Sequence, residues 1–346
     1  MLICILTTAG LYLLSGGGVY AALCRQLIER PQTERMRNVT VEARTSAPER
    51  LAVYVPEKTG ATEAPQAEPA ALIQPPLLEP AASPAPAPDG RGADTVLETT
   101  IEGGMRIKNE TKYWVSATEL LAQGTQIRLP AGQPQILIIH THASEAYTQA
   151  GLDRYTPSDL NRTEDTQFNV VRIGDELSDI LSAAGLQVIH DRGIYDYPSY
   201  TGSYTRSGEA IEQYLAGWPS IRIVFDIHRD ALGSDGVVYK TMAEEEGTVA
   251  SQVMLLVGTD ESGLAHPNWR ENLALALYLQ NAVNSGNPTL MRPIALVPQR
   301  YNQHLTPGSL ILEVGSSGNT LREALAAIRL FGAAAAPALL ELVEEG

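Results

Sequence analysis

Five short runs are almost unbroken by polar residues: ILIIH (136–140), LQVIHD (186–191), IRIVFDIH (221–228), VMLLVGT (253–259) and SLILEVG (309–315). A strand with one wet face alternates apolar and polar side chains, whereas a nearly continuous apolar run marks a strand covered on both faces. Segments of helical period lie between the runs. In QFNVVRIGDELSDILSAAG (167–185) the apolar Val170, Ile173, Leu177, Ile180 and Leu181 recur at helical spacing, and Gly185 closes the segment. SGEAIEQYLAGW (207–218) and ENLALALYLQNAVNS (271–285) read as two further helices. Thr320 to Glu323 forms a capping box that opens a last helix, which Pro337 is expected to bend or break. This alternation predicts an α/β fold: a mostly parallel central sheet with helices on both faces.

Ligands of such sheets bind outside the carboxyl ends of the strands. Three of the runs end in chemistry there. The first ends at His140 and His142, with Glu145 three residues on; the third ends at His228; the last carries Glu313. A catalytic zinc site takes three protein ligands and keeps one position open. Histidines at i and i+2 point to one side of an extended segment, so one ion could see both. A single histidine is more often a hydrogen-bonded structural residue, but a His-x-His with a distant strand-end His favours a metal. The other histidines have weaker claims: His190 ends a strand with no nearby partner in sequence, and His266 and His304, in loops, are expected to be structural or substrate-facing. Asp226, two residues before His228, could orient a ligand. Arg229 and Asp230 could pair with each other, or Arg229 could bind a substrate carboxylate and Asp230 position a loop. Glu313, in an apolar strand, is either one half of a buried salt bridge or a general base with a raised pKa. Gly315 and Gly318, around Ser316 and Ser317, would let the backbone approach substrate. No G-x-S-x-G elbow, G-x-G-x-x-G or P-loop is present.

Composition sets the surroundings. Residues 1–24 carry no charge and are long enough to cross a bilayer core of about 30 Å. An uncleaved membrane anchor is the expected reading, with a cleaved signal peptide as the alternative. Arg25, Arg30, Arg35 and Arg37 follow the stretch and would keep that side in the cytoplasm. An exported head is expected from the chemistry instead, and the two expectations conflict. Residues 25–94, Pro- and Ala-rich from 56 to 93, read as an extended, disordered linker. The folded catalytic domain is expected over 95–346, with a compact core at about 133–335. Both cysteines, Cys4 and Cys24, lie at the apolar stretch, so any metal farther on must use His, Asp or Glu. A net charge of −15 argues against nucleic acid as a partner.

HTHASEAY (140–147), NVVRIGDEL (169–177), DIHRDA (226–231), HPNWRENLALA (266–276), YNQ (301–303) and LILEVGSSGNT (310–320) together resemble the stage II sporulation protein P family of endospore-forming Firmicutes. The likeness runs in order over roughly residues 100–335, with the anchor and spacer in front. It implies a membrane-anchored, zinc-dependent peptidoglycan hydrolase outside the cytoplasmic membrane, in the space between forespore and mother cell. The implied activities are N-acetylmuramoyl-L-alanine amidase and stem-peptide endopeptidase, acting in septal thinning and engulfment with stage II sporulation proteins D and M. The family is similar in fold to the wider zinc amidases of the cell wall. Carried over, DIHRD makes His228 a zinc ligand and LEVGSSGN makes Glu313 the catalytic glutamate. The first ligand is His142 or His140, His142 preferred. The acidic ligand is Glu145 or, by analogy with the wider amidases, Glu164 or Asp165. Arg229, Asp230 and Asn319 are candidate substrate-binding groups. An inactive wall-binding scaffold and a zinc deacetylase acting on wall sugars are the rival readings.

Overall fold

The computed structural model describes residues 95–99, 106–234 and 237–344. The apolar stretch at 1–24 and the linker at 25–94 lie outside the described residues. The elements in chain order are β1 (Thr95–Thr99), β2 (Ile107–Asn109), α1 (Ala117–Gln123), β3 (Ile136–Ile139), α2 (Val170–Ala183), β4 (Val188–His190), α3 (Ser203–Gly217) and β5 (Ile223–Asp230). They continue with β6 (Gly233–Ser234), β7 (Val237–Thr241), β8 (Ala243–Glu245), β9 (Thr248–Ala250), β10 (Val253–Gly258), α4 (Trp269–Gly286), β11 (Ile294–Val297), a 3₁₀ turn (Gln303–Leu305), β12 (Gly308–Ser316) and α5 (Leu321–Leu340).

The main sheet has seven strands in the order β2-β11-β10-β12-β5-β3-β4. Every neighbouring pair is parallel except β10 with β12. The runs read as strands all form strands, and their sides explain the apolar continuity. Ile136, Ile138, Phe225, Ile227, Leu310 and Leu312 belong to one large core with α2, α4 and α5. Leu137, Ile139 and Val224 face the other way, toward Ile211 of α3. Helices therefore cover both faces. The core also takes in Ile127 and Leu129 before the first run and Leu342 after the last helix.

The reversal at β10 splits the sheet. β3, β5 and β12 run together, so their carboxyl ends meet at one rim, while β10 and β11 begin there. Glu313 pairs in register with His228, and Ile139 with Asp226. The β12–β5 register then shifts between Glu313 and Ser316. Gly315 sits in that irregularity at φ +68°, and a Cβ there would come within 2.9 Å of Ser251 Oγ. A bulge of this kind re-aims the side chains beside it.

Helix ends follow their signals. Asn169 caps α2 through its side chain and the Val171 N–H, and Thr320 with Glu323 completes the capping box of α5. Pro337 does not end α5: the helix continues through it to Leu340. Only three residues follow the proline, so little of the helix depends on the hydrogen bond it cannot donate. By length and composition α5 could cross a membrane. Here Ala324, Ile328, Phe331 and Ala335 are fully buried in the shared core, as in a core helix.

Gly174 lies in the middle of α2, where a side chain would have no room. A Cβ there would sit 2.5 Å from His190 Nε2 and 2.6 Å from His140 Nε2. Both are atoms of packed rings. Gly174→Ala is therefore expected to cost about 1–3 kcal/mol despite alanine's better helix propensity. A lower urea midpoint at unchanged m-value checks it; a raised midpoint would contradict this packing.

Candidate active site

The chain leaves the sheet after Ile139, and the alternation of a strand stops with it. His140 and His142 consequently part company. His140 is fully buried against α2. Its Nδ1 donates to the Ile227 carbonyl at 3.1 Å, which leaves Nε2 as an acceptor for His190 Nε2–H at 2.8 Å. Burial and the neighbouring His190 push the His140 pKa down to about 3. Both of its nitrogens are thus taken by protein groups.

His142 turns to the rim. Its ring centre lies 5.3 Å from that of His228, nearly perpendicular to it. Tyr200 stacks on it at 4.5 Å, and Tyr204 meets it edge-on at 5.3 Å. Burial holds the His142 pKa down to about 3, against the pull of Glu145, so the ring is neutral. His228 stands between two carboxylates. Its Nε2 is 3.0 Å from Asp226 Oδ1, and its Nδ1 is 3.5 Å from Glu145 Oε2. Burial works to lower its pKa, but Asp226 and Glu145 outweigh it and raise the value well above the ordinary one. Asp226 also accepts from the Thr141 N–H at 2.8 Å and the Thr141 hydroxyl at 2.6 Å. It is thereby fixed to orient His228.

Glu145 is buried on the turn that follows His142. Burial alone would raise its pKa; Arg229 and His228 overcome this and lower it. Its Oε1 is 3.3 Å from Arg162 Nη2 and 3.8 Å from Arg229 Nη1, and its Oε2 accepts from the Arg229 N–H at 3.2 Å. Glu164 and Asp165 are exposed on the loop beyond. Among the acidic candidates, only Glu145 stands beside His228.

Glu313 points into the same rim. Its Oε2 is buried with no hydrogen bond. Burial, then the nearby Asp230 charge, pushes its pKa up to about 8. The rival picture of Glu313 in a salt bridge does not hold among the described residues: Arg292 pairs instead with Asp230, Nη1 to Oδ2 at 2.6 Å.

All three candidate substrate groups are otherwise engaged. Arg229 is buried and donates from Nε to the Ala146 carbonyl at 3.0 Å and from Nη2 to the Asn161 carbonyl at 3.1 Å, so it braces Glu145. Asn319 is fully buried. Its Oδ1 accepts from the N–H groups of Thr241 and Ser316, and its Nδ2 donates to the Thr241 carbonyl and Glu323, so it builds the turn after β12. Asp230 remains near Glu313 but is tied to Arg292. His266 and His304 lie away from the rim, near Arg300 and Asp260.

The donors suit a divalent ion. His228 Nε2 faces Asp226, so an ion would take that ring on Nδ1, beside Glu145 Oε2; Glu313 Oε2 is buried close by without a hydrogen bond. Two imidazoles sharing one tetrahedral ion at about 2.0–2.1 Å bring their ring centres to about 5 Å apart, and His142 and His228 meet that spacing. Among the described residues, however, no three His, Cys, Asp or Glu side chains already close on one ion. Asp226 holds His228 and the two arginines hold Glu145, so side-chain adjustment would have to accompany the binding of any ion.

These features define an α/β protein with a buried, charge-rich centre of two histidines and two glutamates at the carboxyl rim of its sheet. The chain belongs to the stage II sporulation protein P family, whose model matches residues 88–336. It is 26% identical over 203 residues to stage II sporulation protein P of Bacillus subtilis (strain 168), covering 54% of this chain and 47% of that one. The alignment thus spans about half the length of that relative. Among solved structures it is similar to N-acetylmuramoyl-L-alanine amidase AmiC2 of Nostoc punctiforme, at 14% identity and a TM-score of 0.35, covering 60% of this chain and 96% of that one. It is likewise similar to the Ami1 amidase of Mycobacterium smegmatis, at 14% identity and a TM-score of 0.36, with 60% and 96% covered. Scores at this level leave the fold to be argued from the strands themselves.

Proposed function

We propose that this chain is a zinc-dependent peptidoglycan hydrolase of sporulation that cleaves the N-acetylmuramoyl-L-alanine amide bond and the stem-peptide cross-link. The observation that carries the reading is the pairing of Glu313 with His228 across β12 and β5, next to His142 and Glu145. Membership in the sporulation family supplies the setting. His142, Glu145 and His228 would hold the ion, with Asp226 orienting His228. Zinc, when bound, supplies Lewis-acid activation of water and of the scissile carbonyl. Glu313 takes the proton from the attacking water and returns it to the leaving amine. Its pKa of about 8 suits this exchange, because a general base works best near the operating pH. A cation beside it draws the value lower, further into the neutral range. Tyr200 and Tyr204 wall His142 and limit water around it.

The apolar stretch at 1–24 would tether the head outside the cytoplasmic membrane, the linker would give it reach, and stage II sporulation proteins D and M would be its partners. The test is product analysis on purified cell wall. Free amino termini on stem peptides, lost on chelation and restored by zinc, are expected. Release of acetate instead would make the protein a deacetylase, and no soluble product at all would make it a scaffold.

A further inference from the structure

Each candidate ligand imidazole faces a buried carboxylate of its own. For His228 it is Asp226, which the sequence pattern offers at i−2. For His142 it is Asp196, on the loop before α3, which no pattern singles out. Asp196 Oδ2 lies 4.0 Å from His142 Nδ1, and that nitrogen is buried without a hydrogen bond. The Asp196 side chain is itself fully buried. It is fixed by the Ser144 N–H at 3.1 Å, the Ser144 hydroxyl at 2.6 Å and Arg162 Nη1 at 2.6 Å. The same guanidinium reaches Glu145 Oε1 through Nη2 at 3.3 Å. It also lies 5.1 Å from the centre of the Tyr200 ring, which is stacked on His142. One arginine therefore touches the acidic candidate ligand, the carboxylate beside His142 and the aromatic cover of His142.

We propose that Asp196 and Arg162 are positioning residues of the metal centre, Asp196 for His142 and Arg162 for both Asp196 and Glu145. The inference rests on the zinc reading above. A ligand imidazole binds through one nitrogen and gives its other N–H to a carboxylate or carbonyl, which fixes ring and tautomer. At 4.0 Å the Asp196 contact is too long for a hydrogen bond, and a movement of about 1 Å brings it into range. Arg162 has a second effect. Without it, Asp196 would be an unpaired buried carboxylate close enough to compete with Glu145 for the cation. With it, Asp196 is neutralised and aimed, and Glu145 keeps one oxygen on the arginines and the other toward His228.

The test is zinc affinity of the full chain by competition with a chromophoric chelator, with urea midpoints measured on the metal-free proteins. Wild type is expected to bind one zinc. Asp196→Asn, nearly isosteric, and Arg162→Met are expected to bind about 10–100-fold more weakly, and Arg162→Lys to fall between. Ring ¹⁵N shifts should show one His142 tautomer in zinc-loaded wild type and a mixture in Asp196→Asn. If Arg162→Met does not fold, Asp196→Asn and Arg162→Lys decide. Folded variants that bind zinc as tightly as wild type overturn this inference and leave the zinc reading standing. Wild type that binds no zinc overturns the zinc reading itself.

Discussion

Glu313→Gln is expected to lower amide hydrolysis by about 10²–10⁴-fold, the range for losing one general acid–base group, while zinc stays bound. Glutamine keeps the shape of the side chain in β12 and the register with His228. It removes the group that can accept a proton. A second effect, on stability, follows from the same residue in metal-free protein. Its pKa is about 8 in the fold against 4.5 for an ordinary glutamate, so between those values the folded chain holds a proton that the unfolded chain has lost. The stability this contributes is complete below about 4.5 and is lost as pH rises through 8, by up to ~1.4 kcal/mol per pH unit. Glutamine cannot ionise, so the variant should gain on wild type between pH 5.5 and 8.5 in urea titrations. Unchanged turnover on cell wall would remove Glu313 from the chemistry. A stability difference that does not vary with pH would show that the carboxyl is not perturbed.

The second large effect is expected from His228→Ala. Loss of the central ligand should abolish both stoichiometric zinc and hydrolysis. Metal-free stability should fall as well, because Asp226 and Glu145 are both buried on that imidazole. Removing one partner from a buried charged cluster costs about 3–5 kcal/mol. The cost should be smaller at acid pH, where the stranded carboxylates can take up protons. Metal analysis, together with urea midpoints at pH 5 and pH 7.5, measures both effects. A His228→Ala protein that is as stable as wild type at pH 7.5, or that retains one zinc, contradicts the arrangement.

The legibility of this site in the sequence depended on where each residue sits relative to a strand end. His228 and Glu313 could be placed because each lies near the end of an apolar run, and the run shows where its strand stops. Asp226 followed from the period of two. The same period misleads at His140 and His142. It treats them as companions on one side, whereas β3 stops at Ile139 and the turn beyond sends His142 to the rim and leaves His140 on α2. Asp196, Arg162 and Tyr200 lie on loops, where no periodicity ties residue number to direction, and only the folded chain brings them to His142. The reversal of β10 against β12 was equally hidden, because a buried run reads alike in either direction. Asn319 shows the converse: in a Gly- and Ser-rich block it resembles a substrate contact, yet its amide is consumed in holding the turn.

The most direct test of the centre is an anomalous-difference map collected at the zinc edge from crystals soaked in zinc. One strong peak is expected at about 2.0–2.2 Å from a ring nitrogen of His142, a ring nitrogen of His228 and a carboxylate oxygen of Glu145, with Glu313 beside it and unligated. A peak between His140 and His190, or none at the rim of β3, β5 and β12, would contradict it.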